Sequence, residues 1–137
     1  MVAARQGASR AVSRAAVLGE AIGAFALVFA GCGAVMVVAE TGAFGAAGIA
    51  AAFGLVIGAM VYALGHVSGA HFNPAVTVTF ALTRCSPWRQ VPAYVAAQVV
   101  GALVAAGVLR FTLGDVASLG ANTPSGSSAQ SFAWRSC

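Results

Sequence analysis

The chain contains no lysine and only three acidic residues, and charged side chains make up just 7% of it. Soluble domains carry about 25% charged residues, so an ordinary water-facing surface is excluded. The same poverty argues against an enzyme: no nucleophile–base pairing, phosphate-binding loop or metal cluster is visible in the sequence. The cysteines, Cys32, Cys85 and Cys137, are odd in number and lack metal or redox spacing. They read as free thiols, and neither a metal nor another cofactor is expected. His66 and His71 lie five apart, with no third ligand at a matching distance.

The chain does have an excess of arginine, seven against three acids. That balance invites a nucleic-acid partner, but the placement points to a membrane. Arg5, Arg10 and Arg14 precede the first apolar stretch, and Arg84 and Arg89 sit in a polar turn between two later ones. Basic residues so placed set the orientation of a membrane protein, so no nucleic acid is expected.

What is abundant is hydrocarbon: 60% of residues are hydrophobic and the mean hydropathy is +0.90. A bilayer core of about 30 Å is crossed by about 20 apolar residues in a helix. Three stretches meet that length: Ala15–Val38, interrupted by Glu20; Gly45–Gly65, with no charge; and Pro92–Leu113, holding Gln98 and Arg110. A turn is expected at Glu40-Thr41-Gly42, and Pro92 suits a first helical turn. With the N-terminus in the cytoplasm, Arg5, Arg10, Arg14, Arg84 and Arg89 lie inside, and Arg110 and Arg135 outside, as the positive-inside rule requires. Residues 1–14 are then a cytoplasmic leader, 15–113 the membrane domain and 114–137 an external loop or tail. Phe29-Ala30-Gly31-Cys32 resembles a lipoprotein cleavage site, but more apolar sequence follows it rather than a polar mature domain. The pairs Gly19/Gly23 and Gly54/Gly58, at spacing four, predict close helix approach in lipid.

Between the second and third spans lies Gly65-His66-Val67-Ser68-Gly69-Ala70-His71-Phe72-Asn73-Pro74-Ala75-Val76-Thr77. It begins and ends on the cytoplasmic side, yet it is too apolar for a cytoplasmic loop. Asn73-Pro74 is a helix start, Asn as N-cap and Pro at the first helical position. Pro74–Thr83 gives about 15 Å of helix, half the bilayer core. The chain is expected to enter extended over Val67–Phe72, reach mid-membrane at Asn73 and return as a half-helix. Backbone without helical partners survives in a membrane only where protein buries it or a water-filled cavity meets it. A pore is therefore expected, lined by the carbonyls of Gly69, Ala70, His71 and Phe72. Asn73 would cap the half-helix with its oxygen and offer amide hydrogens to the lumen, while the positive helix start repels cations. The solute should be neutral and carry an accepting oxygen.

The string Ser68–Thr77, Ser-Gly-Ala-His-Phe-Asn-Pro-Ala-Val-Thr, resembles the first Asn-Pro-Ala signature of the aquaporin (major intrinsic protein) family. Glu20-Ala21-Ile22-Gly23, Gly31-Cys32-Gly33 and Ala97-Gln98-Val99-Val100-Gly101-Ala102 extend the resemblance across Ala15–Phe132. It implies an all-α membrane protein: three transmembrane helices plus one re-entrant half-helix, the first half of an inverted-repeat bundle. It further implies that Asn73, Pro74 and Ala75 are the first of two motifs meeting at the midplane. Phe53, twenty residues before Asn73, would be an aromatic of the outer filter in a water-selective pore; read without the resemblance it is a packing aromatic. Glu20 would hold the pore-loop backbone in place, or else snorkel to the interface, and Gln98 would lie near the same loop. Homotetramers with one pore per subunit are also implied.

The second motif and the filter arginine of the family are absent, and Arg135-Ser136-Cys137 stands where a fourth span is expected. A truncated chain, poorly active alone, is the expectation. Five arginines inside against two outside disfavour an upside-down second copy. The expected solute is water, with glycerol or another small neutral solute as the alternative, and a scaffold without transport as a third reading. Heavy use of Ala, Gly and Val without lysine suggests a GC-rich bacterial source, hence an inner-membrane location.

Overall fold

The computed structural model describes residues 12–121. The leader arginines Arg5 and Arg10, and the tail from residue 122 with its expected fourth-span remnant, lie outside the described residues. Four helices carry the fold: α1 (Arg14–Thr41), α2 (Gly45–Ser68), α3 (Pro74–Leu82) and α4 (Val91–Leu113), the last preceded by a 3-10 turn at Trp88–Gln90. Among the described residues there is no strand. Three helical stretches are long and apolar enough to cross a membrane: Arg14–Thr41, Gly45–Ser68 and Trp88–Leu113. The nine residues of α3 reach about 13 Å, under half of a ~30 Å core.

Each boundary has a local cause. α1 runs on through Glu40 and Thr41, where a turn is expected, and in this last turn Thr41 Oγ1 donates to the carbonyl of Val37 (2.7 Å). The helix then stops at Gly42, whose left-handed φ of 68° returns its N–H to Val38, the conformation glycine adopts without a Cβ clash. α2 likewise outruns its expected end at Gly65 by one turn. Val67 and Ser68 are helical, and Gly69, at φ 88°, closes the helix with an N–H bond to Gly65. The expected extended segment Val67–Phe72 therefore shrinks to the residues after Ser68, and these are not extended. Ala70 and Phe72 take positive φ, 54° and 51°, so the chain turns tightly instead of threading straight.

α3 starts as its first two residues predict: Asn73 is the N-cap, its Oδ1 accepting from Ala75 N at 2.8 Å, with Pro74 following. It ends one residue short of Thr83, where Cys85 and Ser86 N–H groups fold back onto the carbonyl of Phe80 and Arg84 takes φ 61°. Pro92 falls in the first turn of α4.

α1 is the hub, packing against both α4 and α2, and α3 rests on α4. Where α1 and α4 cross, a Cβ added to Gly101 would run into the carbonyl of Ala21, and one added to Gly33 would touch Leu109 at 3.2 Å. The two helices thus run parallel, backbone against backbone at their closest point. Of the two spaced glycine pairs, Gly19 and Gly23 meet Ser68 and Phe72, whereas Gly54 and Gly58 have nothing within 4 Å among the described residues. The expected close approach holds for the first pair only.

Candidate functional site

The polar core of the bundle is Glu20, on α1 and 0% exposed. An intramembrane carboxylate costs about 2.5–3.5 kcal/mol on insertion scales, so it must be offset locally. Four donors converge on it: Ser68 Oγ (2.7 Å) and His71 N (3.0 Å) on Oε1, Phe72 N (2.6 Å) and Gln98 Nε2 (2.7 Å) on Oε2. A carboxylate anion only accepts hydrogen bonds, and charge-assisted bonds are the stronger kind. Glu20 therefore points into the bundle and does not snorkel.

This convergence explains the strained turn. Left-handed φ costs a non-glycine residue about 1–2 kcal/mol, and Ala70 and Phe72 both adopt it. The strain aims three successive N–H groups inward: Ala70 N at Ser68 Oγ (3.1 Å), His71 N and Phe72 N at Glu20. The Phe72 ring lies where Gly23 leaves room on α1. With the N–H groups taken, the carbonyls of Gly69, Ala70, His71 and Phe72 accept no hydrogen bond among the described residues. They are left as a run of free acceptors next to Asn73, an exposed residue.

Two further residues tie the turn to α4. Tyr94 Oη donates to the carbonyl of Ser68 (2.8 Å) at the end of α2, and Gln98 Nε2 reaches Thr77 Oγ1 (2.9 Å) as well as Glu20. The His71 ring is wedged edge-on between Phe80 and Tyr94, and its Nδ1 meets Thr77 Oγ1 at 3.1 Å. Gln98 Oε1 is a buried acceptor with no partner among the described residues.

The structure thus brings Glu20, Gln98, His71, Phe72 and the start of α3 (Asn73, Pro74, Ala75) into one assembly. Phe53 stands apart from it. Its ring, half-buried, lies over Gly31 of α1, eight residues or about 12 Å further along that helix than Gly23 and Phe72. His66 is exposed at the end of α2. Sequence reading gave no role to Ser68, Thr77 or Tyr94. The signal was present for two of them: Thr77 lies one helical turn beyond Asn73, and Tyr94 one turn before Gln98 on the same face.

A bundle of membrane-length helices, with a short helix entered through a carboxylate-held turn, defines a multi-pass membrane protein. The family model described as "Major intrinsic protein" matches residues 8–134. The chain belongs to the major intrinsic protein family, a family of membrane channels. It is 54% identical over 99 residues to "Aquaporin NIP1-1" of Oryza sativa subsp. japonica, covering 72% of this chain and 35% of that protein. It is 45% identical over 118 residues to "Probable aquaporin NIP-type" of Nicotiana alata, covering 85% and 43%. With "Aquaporin NIP3-1" of Arabidopsis thaliana it shares 45% identity over 124 residues, covering 84% and 38%. The matched stretches thus cover less than half the length of these relatives.

Proposed function

We propose that this chain supplies one half of a passive conduit for water, closed by an inverted half of the same kind. The observation that carries the reading is the turn at Gly69–Asn73. The N–H groups of Ala70, His71 and Phe72 are held by Ser68 and Glu20, and the carbonyls of Gly69, Ala70, His71 and Phe72 are left free among the described residues, beside an amide-capped helix start of positive potential. Neutral molecules able to donate and accept match such a wall, and cations do not. In this reading Asn73, Pro74 and Ala75 form the midplane constriction, with Gly69, Ala70, His71 and Phe72 contributing carbonyls. Phe53 narrows the filter on the outer side. Residues 1–14 lie in the cytoplasm, 15–113 form the membrane domain and the residues after 113 lie outside. The relatives reported above are named aquaporins, which supports the water reading; the family resemblance adds homotetramers, here placed in a plasma or inner membrane. Those relatives are plant proteins; the bacterial source rests on residue usage alone.

Stopped-flow swelling of proteoliposomes tests the proposal. The chain alone is expected to add little water flux. A full-length relative carrying these residues is expected to conduct, and to lose most of its flux when the residue equivalent to Asn73 becomes Asp. Fast flux through the chain alone, or an indifferent Asp variant, would overturn the reading. In the same full-length relative, the change equivalent to Phe53→Ala is expected to admit glycerol, and unchanged selectivity removes Phe53 from the filter. Orientation is read at Cys85, exposed in the turn after α3. With Cys32 and Cys137 changed to Ser, an impermeant maleimide should label it only from the cytoplasmic side.

A further inference from the structure

We propose that Thr77 is a positioning residue that fixes the tautomer of His71, holding hydrogen on Nδ1 and leaving Nε2 bare as an acceptor. The assignment follows from counting hydrogens at a single atom. Thr77 Oγ1 has one hydrogen and two lone pairs, and three partners surround it: the carbonyl of Asn73 (3.1 Å), Gln98 Nε2 (2.9 Å) and His71 Nδ1 (3.1 Å).

Two of the three directions are dictated. The Asn73 carbonyl only accepts, so that contact takes the hydroxyl hydrogen. Gln98 must present its NH2 to Thr77, because the same nitrogen faces the Glu20 carboxylate at 2.7 Å. Turning the amide over would set oxygen against oxygen. Gln98 therefore spends one hydrogen on Glu20 and one on Thr77, which uses a lone pair of the hydroxyl. Only one lone pair remains for His71, so Nδ1 has to donate. The other choice, a hydroxyl donating to Nδ1, forfeits the Asn73 contact.

The second ring nitrogen has a different setting. Nε2 has no hydrogen-bond partner among the described residues, yet it is not sealed as Gln98 Oε1 is. A Cβ at Gly69 would come within 3.4 Å of it, which places Nε2 beside the turn whose carbonyls are free. No acceptor stands ready for a proton there, and a neutral ring with hydrogen on Nδ1 has its lone pair on Nε2. The consequence for transport rests on the conduit reading above: His71 would add one more acceptor to a wall already made of acceptors. Passing molecules would then be met by hydrogen-bond acceptors up to Asn73, where the amide supplies the donors. The tautomer itself does not depend on conduction.

The test is nitrogen-15 magnetic resonance of the full chain in lipid bilayers with only histidine labelled, in a His66→Gln background that leaves one imidazole. The expected spectrum at neutral pH shows a protonated, pyrrole-type Nδ1 and an unprotonated, pyridine-type Nε2. Thr77→Val should shift population toward the Nε2–H form that free imidazole side chains favour in water, and Thr77→Ser should restore the original pattern. A protonated Nε2 in the parent spectrum overturns the proposal, whether Nδ1 is protonated or not. So does a Thr77→Val spectrum identical to the parent. If Thr77→Val does not fold, the parent spectrum alone decides. Loss of water flux with the tautomer intact would count against the conduit and not against this assignment.

Discussion

α1 and α2 are both apolar helices of membrane length, but they stand in opposite relations to the rest of the molecule. α1 buries residues on faces toward α4, α2 and the turn, from Ala16 to Met36, with Glu20 among them. α2 buries only Ser68, its last residue, and leaves Leu55, Ile57, Val61 and Tyr62 outward. Hydrocarbon alone does not hold helices together in lipid, since the tails are as apolar as leucine. What distinguishes α1 is a carboxylate that requires donors and glycines that admit a neighbour's ring or backbone. α2 has glycines too, Gly54 and Gly58, but nothing occupies the space they leave. Specific packing here follows polar demand and close backbone fit, and apolar length by itself only selects the bilayer.

Substitutions in and around the two helices test that contrast. The largest effect is expected from Glu20→Leu, which strands four donors at once. A single buried unsatisfied group costs about 1–3 kcal/mol, so a loss of roughly 3 kcal/mol or more is expected, read by detergent-titrated unfolding with proteolysis at the turn after α2. A near-neutral result would show that the turn holds itself. Gly101→Ala should come next: the new methyl meets the Ala21 backbone, which cannot yield as a side chain would. Overpacking of this kind costs about 1–3 kcal/mol, and the same unfolding assay reports it.

Tyr94→Phe removes the single bond to the Ser68 carbonyl (2.8 Å) and should cost about 1 kcal/mol. Its signature would be faster hydrogen exchange at the last turn of α2. Smallest of all, Gly58→Ala should lie within about 0.5 kcal/mol of the parent, with an unchanged circular-dichroism melt. If Gly58→Ala instead costs as much as Gly101→Ala, the open face of α2 is packed in the assembled protein, and the contrast between the two helices belongs to the isolated half.

Much of this was readable in the chain before folding. The spans and the start of α3 follow from local rules: apolar runs of about 20 residues fit a bilayer, and Asn followed by Pro suits a helix's N-cap and first position. The helix ends were less legible. Sequence placed the end of α2 at Gly65, but Gly69, four residues on, supplies the left-handed cap, and both glycines satisfy a local rule. From sequence the turn reads as extended, because nothing local predicts positive φ at Ala70 and Phe72. Their strain is repaid by Glu20, fifty residues earlier, and that repayment is a tertiary fact. Glu20 and Gln98 could be singled out as polar residues in apolar helices. Thr77 stands at helical spacing from Asn73, but what its hydroxyl serves depends on three partners that only the fold brings to it.

The sequence by itself determined that this protein enters a membrane, with three spans and a half-helix begun at Asn73, because apolar length and capping chemistry act within a few residues. Which way the turn's N–H groups face, which glycine contacts are real and which atoms the Thr77 hydroxyl serves were set by the packing of the helices. Those choices depend on atoms brought together from four helices, and a hydrogen bond is specified by the position and direction of both partners, which one stretch of chain cannot supply.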